Sequence, residues 1–334
     1  MASASASDKS PRPAVTVVDF TDPTAAHHGL ELLAQDAVQL QSRTFHARRV
    51  TVDLGDVKVV FHATNHRVRT RTTPHHGLVA YVVFGPQTVG TVDGVQVRAD
   101  LMLATPAHTQ TGFVAEAGWE SVALLVNPAV LECHLAARQR LDELRLPQRV
   151  DAMRADVARV RALFDLGKRV AEMAAQVPAQ FDDSLEERAA AQVEVIETLL
   201  AALRASSGSS LARSDQTRQT QSVIVKAAED YTLSKVGQRI YVSDLCKATA
   251  TSERALEYSF KTVMGLSPVQ FLARLRLHRA REALLKAPTG GASTVSTIAL
   301  EWGFWHFGEF ARAYKELFDE LPSDTLRRRG APRT

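Results

Sequence analysis

A short pattern occurs twice near the C-terminal end of this chain, and that repeat constrains the fold more than any other feature. VSDLCKATATSERALEYSFKTVMGLSP runs from Val242 to Pro268, and VSTIALEWGFWHFGEFARAYKELFDELPS from Val295 to Ser323. Val242, Ser243 and Leu245 recur as Val295, Ser296 and Ile298, an offset of 53. Leu256, Phe260, Lys261, Met264 and Pro268 recur as Phe310, Tyr314, Lys315, Phe318 and Pro322, an offset of 54, with the added residue in the turn beside Gly303. Each copy reads as a short helix, a tight turn and a second helix with a polar face, the signature of a helix-turn-helix.

Between the copies lies LSPVQFLARLRLHRAREALLK, Leu266 to Lys286. Ser267 suits an N-cap, Pro268 the first helical position, and Ala287-Pro288 a stop. About nineteen residues without a breaker give a helix of roughly 28 Å. Ala273, Leu277, Ala280 and Leu284 share one face by spacing, and Arg274, His278 and Arg281 form a second, basic stripe. A rigid spacer of this length holds two recognition helices near one DNA turn apart, about 34 Å.

Residues 222–328 resemble the DNA-binding domain of the AraC/XylS family of bacterial transcription regulators. The residues that carry the resemblance include Ser252, Arg254, Gly265-Leu266-Ser267-Pro268, Arg276-Leu277, Ala280-Arg281, Ile298-Ala299, Gly303-Phe304, Arg312 and Tyr314-Lys315. Three positions depart from the family pattern. His306 replaces the serine that caps the second recognition helix, Asp319 replaces a glycine, and Glu309 puts a negative charge on a surface meant for phosphates. The resemblance implies double-stranded DNA and RNA polymerase as partners, and a homodimer paired through helices. The expected DNA-binding residues are Ser252, Glu253, Arg254, Glu257 and Tyr258 on the first recognition helix, and His306, Phe307, Glu309 and Arg312 on the second. Leu256, Phe260, Trp302, Phe304, Phe310 and Phe318 are expected to hold the helices in place.

The charge agrees with that division. Residues 207–334 carry 19 Lys+Arg against 13 Asp+Glu, whereas residues 1–206 carry 21 against 24, for +3 overall. The basic half is the one that would neutralise phosphates. Two cysteines, Cys133 and Cys246, are too few and too far apart for a disulfide framework and fit a reducing, cytoplasmic location. No apolar run reaches the length of a membrane span. MASASASDKSPRP lacks the apolar segment of a signal peptide and reads as a disordered tail.

Residues 31–40 read as a short helix. From Thr44 to about Val126 the texture is strand-like, rich in Val and broken by Gly, Pro, Asp and Asn. Short strands over about a hundred residues suggest a sandwich or barrel, and the resemblance implies a cupin-like sensor here. Cupin-type enzymes need His and carboxylate ligands on facing strands. His62, His66, His75, His76 and His108 show no His-x-His pair with a matching Glu, so no metal, cofactor or catalytic residue is expected. A cupin-type metal-dependent enzyme domain fused to a DNA-binding module is the alternative reading.

Arginines offer a different site. Arg67, Arg69 and Arg71 alternate along HRVRTRTT and would share one strand face, and Arg43, Arg48 and Arg49 precede another strand. Paired arginines can clamp a phosphate or carboxylate. Arg67 to Arg71 also fits Arg-x-x-x-Arg, which resembles the motif of PilZ-type receptors for cyclic di-GMP and of a branch of AraC-like regulators. Arg67, Arg71, Arg43 and Arg48 are the effector candidates, for a small molecule or a cyclic dinucleotide; a solvated strand face is the plainer reading.

From Asn127 the pattern turns helical. Met153, Val157, Val160 and Phe164 are spaced as one helix face, and Val193, Ile196, Leu199, Leu200 and Leu203 as another. SSGSSLARSDQTRQTQ is a flexible linker by composition. The expected organisation is α+β: a tail (1–14), a β-rich cupin-like sandwich (15–126), a helical dimerisation region (127–205), a linker (206–221), and an all-α double helix-turn-helix domain (222–329). The expected function is that of an effector-controlled regulator of transcription, not an enzyme.

Overall fold

The structure, a computed structural model, describes residues 13–25, 31–42, 44–204, 206, 213–235, 238, 240–288 and 293–328. Strands β1 (Val15–Phe20), β2 (Leu33–Gln39), β3 (Ala47–Asp53), β4 (Val57–Thr64), β5 (Val68–Pro74) and β6 (Val79–Phe84) come first. They are followed by β7 (Gly90–Val92), β8 (Val95–Gln96), β9 (Leu101–Thr105), β10 (Thr111–Ala115) and β11 (Trp119–Val126). Helix α1 (Pro128–Ala136) and strand β12 (Asp151–Arg154) precede α2 (Val157–Gln176), α3 (Pro178–Asp182) and α4 (Leu185–Arg204). The C-terminal half is helical: α5 (Arg213–Ser234), α6 (Val242–Thr249), α7 (Glu253–Met264), α8 (Pro268–Lys286), α9 (Val295–Glu301), α10 (Phe307–Phe318) and α11 (Pro322–Arg327).

The strands form two antiparallel sheets. The larger runs β1-β3-β4-β11-β6-β9-β12 and the smaller β2-β5-β10-β7-β8. The large sheet is covered on both faces, which is why β6, VAYVVF, is buried at every position. On its outer face Val50, Val52, Val59, Phe61 and Val122 pack with Val160, Leu163 and Phe164 of α2, and α4 closes that core with Ile196, Leu199 and Leu200. Gly167 lets α2 approach closely, since a Cβ there would strike the Val122 side chain. The inner face looks toward the small sheet across a cavity.

Four expectations change. Residues 33–39 pair with β5 from Leu33↔Pro74 to Gln39↔Val68, so this segment is a strand; tertiary pairing overrides the helix propensity of its Ala, Leu and Gln. Met153 lies in β12 and pairs with Met102 at the edge of the large sheet, not on a helix with Val160. Residues 213–221, expected in the linker, are the first turns of α5. Their polar side chains serve contacts: Asp215, 1% exposed, receives Arg218 at 2.6 Å, and Arg218 donates to the Gly94 carbonyl. Within α8, Ala273 is exposed, and Phe271, Leu272 and Leu275 make the apolar face of its first half.

Candidate nucleic-acid interface and effector cavity

The first helix-turn-helix is α6 and α7. Ala250 turns the chain in the left-handed region, φ 51°, and Ser252 caps α7 by accepting the Ala255 N–H at 3.2 Å. Gly265, φ 68°, ends α7, and a capping box of Ser267 with Gln270 starts α8. In the second copy Thr294 caps α9, accepting the Thr297 N–H at 3.1 Å, and Gly303, φ 79°, occupies the turn position that Ala250 fills in the first. His306 makes no side-chain cap to α10, as its chemistry led us to expect, and Asp319 takes the left-handed conformation, φ 58°, at the far end.

Helix α8 belongs to both units. Its first half packs Phe271, Leu272 and Leu275 with Leu245, Leu256 and Phe260. Its second half packs Leu277, Ala280 and Leu284 with Ile298, Phe310 and Tyr314. This shared core turns the polar sides of α7 and α10 outward. Ser252, Glu253, Arg254, Glu257 and Tyr258 are exposed on the first, and His306, Phe307, Glu309 and Arg312 on the second. Trp302, Phe304 and Phe318 are partly buried against the second core. The sequence reading omitted Lys261, which lines one groove with Arg254, Glu257 and Tyr258, and Trp305, half exposed just before α10.

The backs of both units rest on the small sheet. Val38, Leu40 and Val114 join the core of the first unit. Arg69 of β5 forms a two-pronged pair with Glu229 of α5, Nε to Oε1 at 3.2 Å and Nη2 to Oε2 at 2.8 Å, with both side chains 2% exposed. Arg71 pairs with Asp230 of α5, and Arg279 of α8 with Asp36 of β2. Arg281 of α8 is sunk between Asp22 at 2.7 Å, the Tyr314 hydroxyl at 3.0 Å and the Phe318 ring. Burial pushes the Asp22 carboxyl up, but the Arg281 charge and hydrogen bonds from Thr24 and Arg281 outweigh it and bring it down to about 2. His278 Nε2 accepts the Gln39 N–H at 3.0 Å. The basic stripe expected on α8 is therefore largely interface.

The arginines expected to clamp an effector are engaged here. Arg67 pairs with Glu116 at 2.7 Å and lies against Gly265, and Arg71 is held by Gln110 and Asp230. Arg48 is exposed on β3, and Arg43 lies outside the described residues. Arg67, Arg69 and Arg71 do share a face, but that face meets the helical domain.

The cavity lies on the other face of the same strands. It measures about 90 Å³ and is lined by Phe20, Leu33, Phe45, Val60, Phe113 and Trp119 among others, with Gln35, Arg49, His62, Thr70, Thr72, Thr111 and Ser121 as polar members. Arg49, 2% exposed, donates to Gln35 Oε1 and stacks over the Phe20 ring at 4.8 Å. Burial lowers its pKa to about 9, so it stays charged at neutral pH. Burial and then the Arg49 charge bring His62 down to about 3, so it is neutral. His66 is buried and bonded to the Gln41 carbonyl, whereas His75 and His108 stack at 5.9 Å. No group of three or more His, Cys, Asp or Glu suited to a metal forms among the described residues.

Comparison with known proteins places this geometry. Residues 245–328 match a family model described as "Helix-turn-helix domain". A solved structure of "a probable AraC family transcriptional regulator" from Rhodopseudomonas palustris is 34% identical, covering 31% of this chain and 95% of that one, with a TM-score of 0.29. The C-terminal domain is of the AraC/XylS type. It is similar to the "Probable thc operon regulatory protein" of Rhodococcus erythropolis, 36% identical over 104 residues, 31% of each chain. It also resembles the "XylDLEGF operon transcriptional activator 3" of Pseudomonas putida, 38% identical over 92 residues, 28% of each. The matched part thus spans under a third of these AraC/XylS relatives' length. Among the described residues, no helix is long and apolar enough to cross a membrane.

Proposed function

We propose that this protein is a cytoplasmic, sequence-specific regulator of transcription. It reads double-stranded DNA through α7 and α10, and an effector in the β-sheet cavity controls it. One observation carries this reading: both recognition faces are open to solvent while their backs are fastened to a sheet whose other face lines a cavity. Strand β2 serves both, with Leu33, Gln35 and Ala37 turned to the cavity and Asp36 and Val38 to the helical domain. Asp22, which holds Arg281, lies between the cavity-lining Phe20 and Pro23. An effector that moves these segments changes how α8 is held, and with it the placement of the two readers.

The cavity supports the effector site better than Arg67 and Arg71 do. A cyclic dinucleotide at that pair would have to displace Glu116 and Asp230. A homodimer, paired through the α2–α4 region where Met173, Leu185 and Val193 are exposed, and contact with RNA polymerase at the promoter complete the proposal.

The test is selection of binding sites from random duplex DNA by the full chain, followed by affinity measurements for the selected site. Arg254→Ala and Arg312→Ala should each weaken the selected site at least tenfold more than random DNA. Equal binding of all sequences by the parent protein would overturn the reading.

A further inference from the structure

The second recognition helix starts with different chemistry from the first. At the offset of 54, Glu253, Arg254 and Ala255 of α7 correspond to Phe307, Gly308 and Glu309 of α10. Farther along, exposed Lys261 corresponds to exposed Lys315, so both helices keep a cation there. The stretch WGFWHF that leads into α10 carries four aromatic rings. Phe304 turns inward, its ring centroid 4.8 Å from that of buried Phe310, and Trp302 is partly buried in the same core. Trp305 and Phe307 turn outward, 50% and 44% exposed. A Cβ added at Gly308 would meet no atom within 4 Å, so the position that Arg254 occupies in the first reader is open space in the second.

In a helix-turn-helix the first residues of the recognition helix meet base edges in the major groove. There α7 offers the Arg254 guanidinium and the Glu253 and Glu257 carboxylates, groups that exchange hydrogen bonds with bases. Helix α10 offers a phenyl ring and then bare backbone. A phenyl ring has no donor or acceptor, and the apolar group displayed in the major groove is the 5-methyl of thymine. Contact between the two removes apolar surface of both from water. Gly308 fits the same purpose. Neither crowding nor a left-handed backbone requires glycine at this position, and glycine is a poor helix former. What it provides is close approach of an outside group to the backbone.

We propose that α10 reads a thymine through its 5-methyl group, seated against the Phe307 ring over the space at Gly308. The assignment rests on α10 being a DNA reader and adds the base it selects and the residue that selects it. A site read in this way is asymmetric, with hydrogen-bonded readout by α7 in one half and methyl readout by α10 in the other.

The experiment removes the methyl group and nothing else. The full chain selects its site from random duplex DNA, and each thymine of that site is replaced in turn by deoxyuridine, which keeps every hydrogen-bonding group. At one position or more the parent protein should bind about fourfold more weakly, the worth of one buried methyl group. At that position Phe307→Ala should bind both bases equally, whereas Phe307→Leu, still apolar, should keep part of the preference. Gly308→Ala should melt at or above the parent temperature, yet bind the selected site several-fold less tightly because the added methyl fills the space. The deoxyuridine series on the parent protein stands even if a variant fails to fold. Uracil as good as thymine at every position, a selected site without thymine, or a preference that persists in Phe307→Ala would each overturn the assignment and leave sequence-specific recognition standing. Parent-like affinity in Gly308→Ala would overturn the placement of the methyl over that residue. Equal binding of all sequences by the parent protein would overturn the DNA-reading function and this assignment together.

Discussion

Asp36 and Arg71 are register partners across β2 and β5, yet each reaches past the other to a different helix of the DNA-binding half. Asp36 takes Arg279 of α8 and Arg71 takes Asp230 of α5. Opposite charges this close on a strand pair would ordinarily attract each other. Their use outward makes two neighbouring strands into a bracket. One strand holds the helix leading into the first reader, and the other holds the helix shared by both.

The buried pair beside them is the part of that bracket most costly to break by removing one partner. Arg69→Met would leave Glu229 charged and 2% exposed, and should destabilise docking of α5 by about 3–5 kcal/mol. The double variant Arg69→Met/Glu229→Met should recover most of that loss. Arg71→Ala should cost under about 1 kcal/mol, because Asp230 is half exposed. Hydrogen exchange along α5 in the three variants measures the order; equal protection in Arg69→Met and Arg71→Ala would contradict it.

Acid should loosen the contact between α8 and β2. Burial outweighs the opposing influence of Asp22 and, with Arg281, Arg279 and Arg274 nearby, lowers the pKa of His278 from 6.5 to about 3. Its Nε2 must be unprotonated to accept the Gln39 N–H. A base with a depressed folded pKa contributes full stability above 6.5 and loses it as pH falls toward 3, by about 1.4 kcal/mol per pH unit. His62 adds a second proton over the same window. Denaturation between pH 7 and 4 should show this slope, and His278→Gln, whose amide oxygen can still accept from Gln39, should lower it by about one proton.

Ala250 adopts φ 51° where the second copy has glycine. The left-handed region costs a residue with a Cβ about 1–2 kcal/mol, of which glycine gives back part through its freer unfolded chain. Ala250→Gly should therefore stabilise the first helix-turn-helix by about 0.5–1 kcal/mol, seen as a raised denaturation midpoint. The reverse change, Gly303→Ala, should destabilise the second by a similar amount.

The two readers should respond differently to loss of charge. Arg254→Ala should cost about 1–3 kcal/mol at a selected site if its guanidinium reads a guanine. Glu309→Gln should tighten binding to random DNA slightly, because it removes a negative charge from the surface of α10. A clear loss at the selected site would show instead that the Glu309 carboxylate accepts a hydrogen bond from a base.

The helical domain was legible because its determinants are local. Caps such as Ser252 and Ser267, a breaker after Lys286, the glycine at 303 and a repeated apolar spacing act within a few residues of one another. The same locality exposed the weak cap at His306 and the left-handed Asp319. The β-rich half was legible only as texture, since Val-rich runs and turn residues announce strands without saying which strands pair.

Tertiary structure decided what the arginines do. A strand alternates faces every residue, so Arg48 and Arg49 differ by one position and end on opposite sides of the large sheet, one exposed and one in the cavity. The sequence reading favoured Arg48, and nothing within the strand distinguishes the two. Arg67, Arg69 and Arg71 share a face, as their spacing requires, but whether that face meets a ligand or a domain depends on Glu229 and Asp230, some 160 residues away. Alternation, caps and repeats were written in the chain itself. Which face became cavity and which became interface was settled when distant acidic partners met those strands, because removing either partner of a buried pair such as Arg69 and Glu229 is strongly unfavourable.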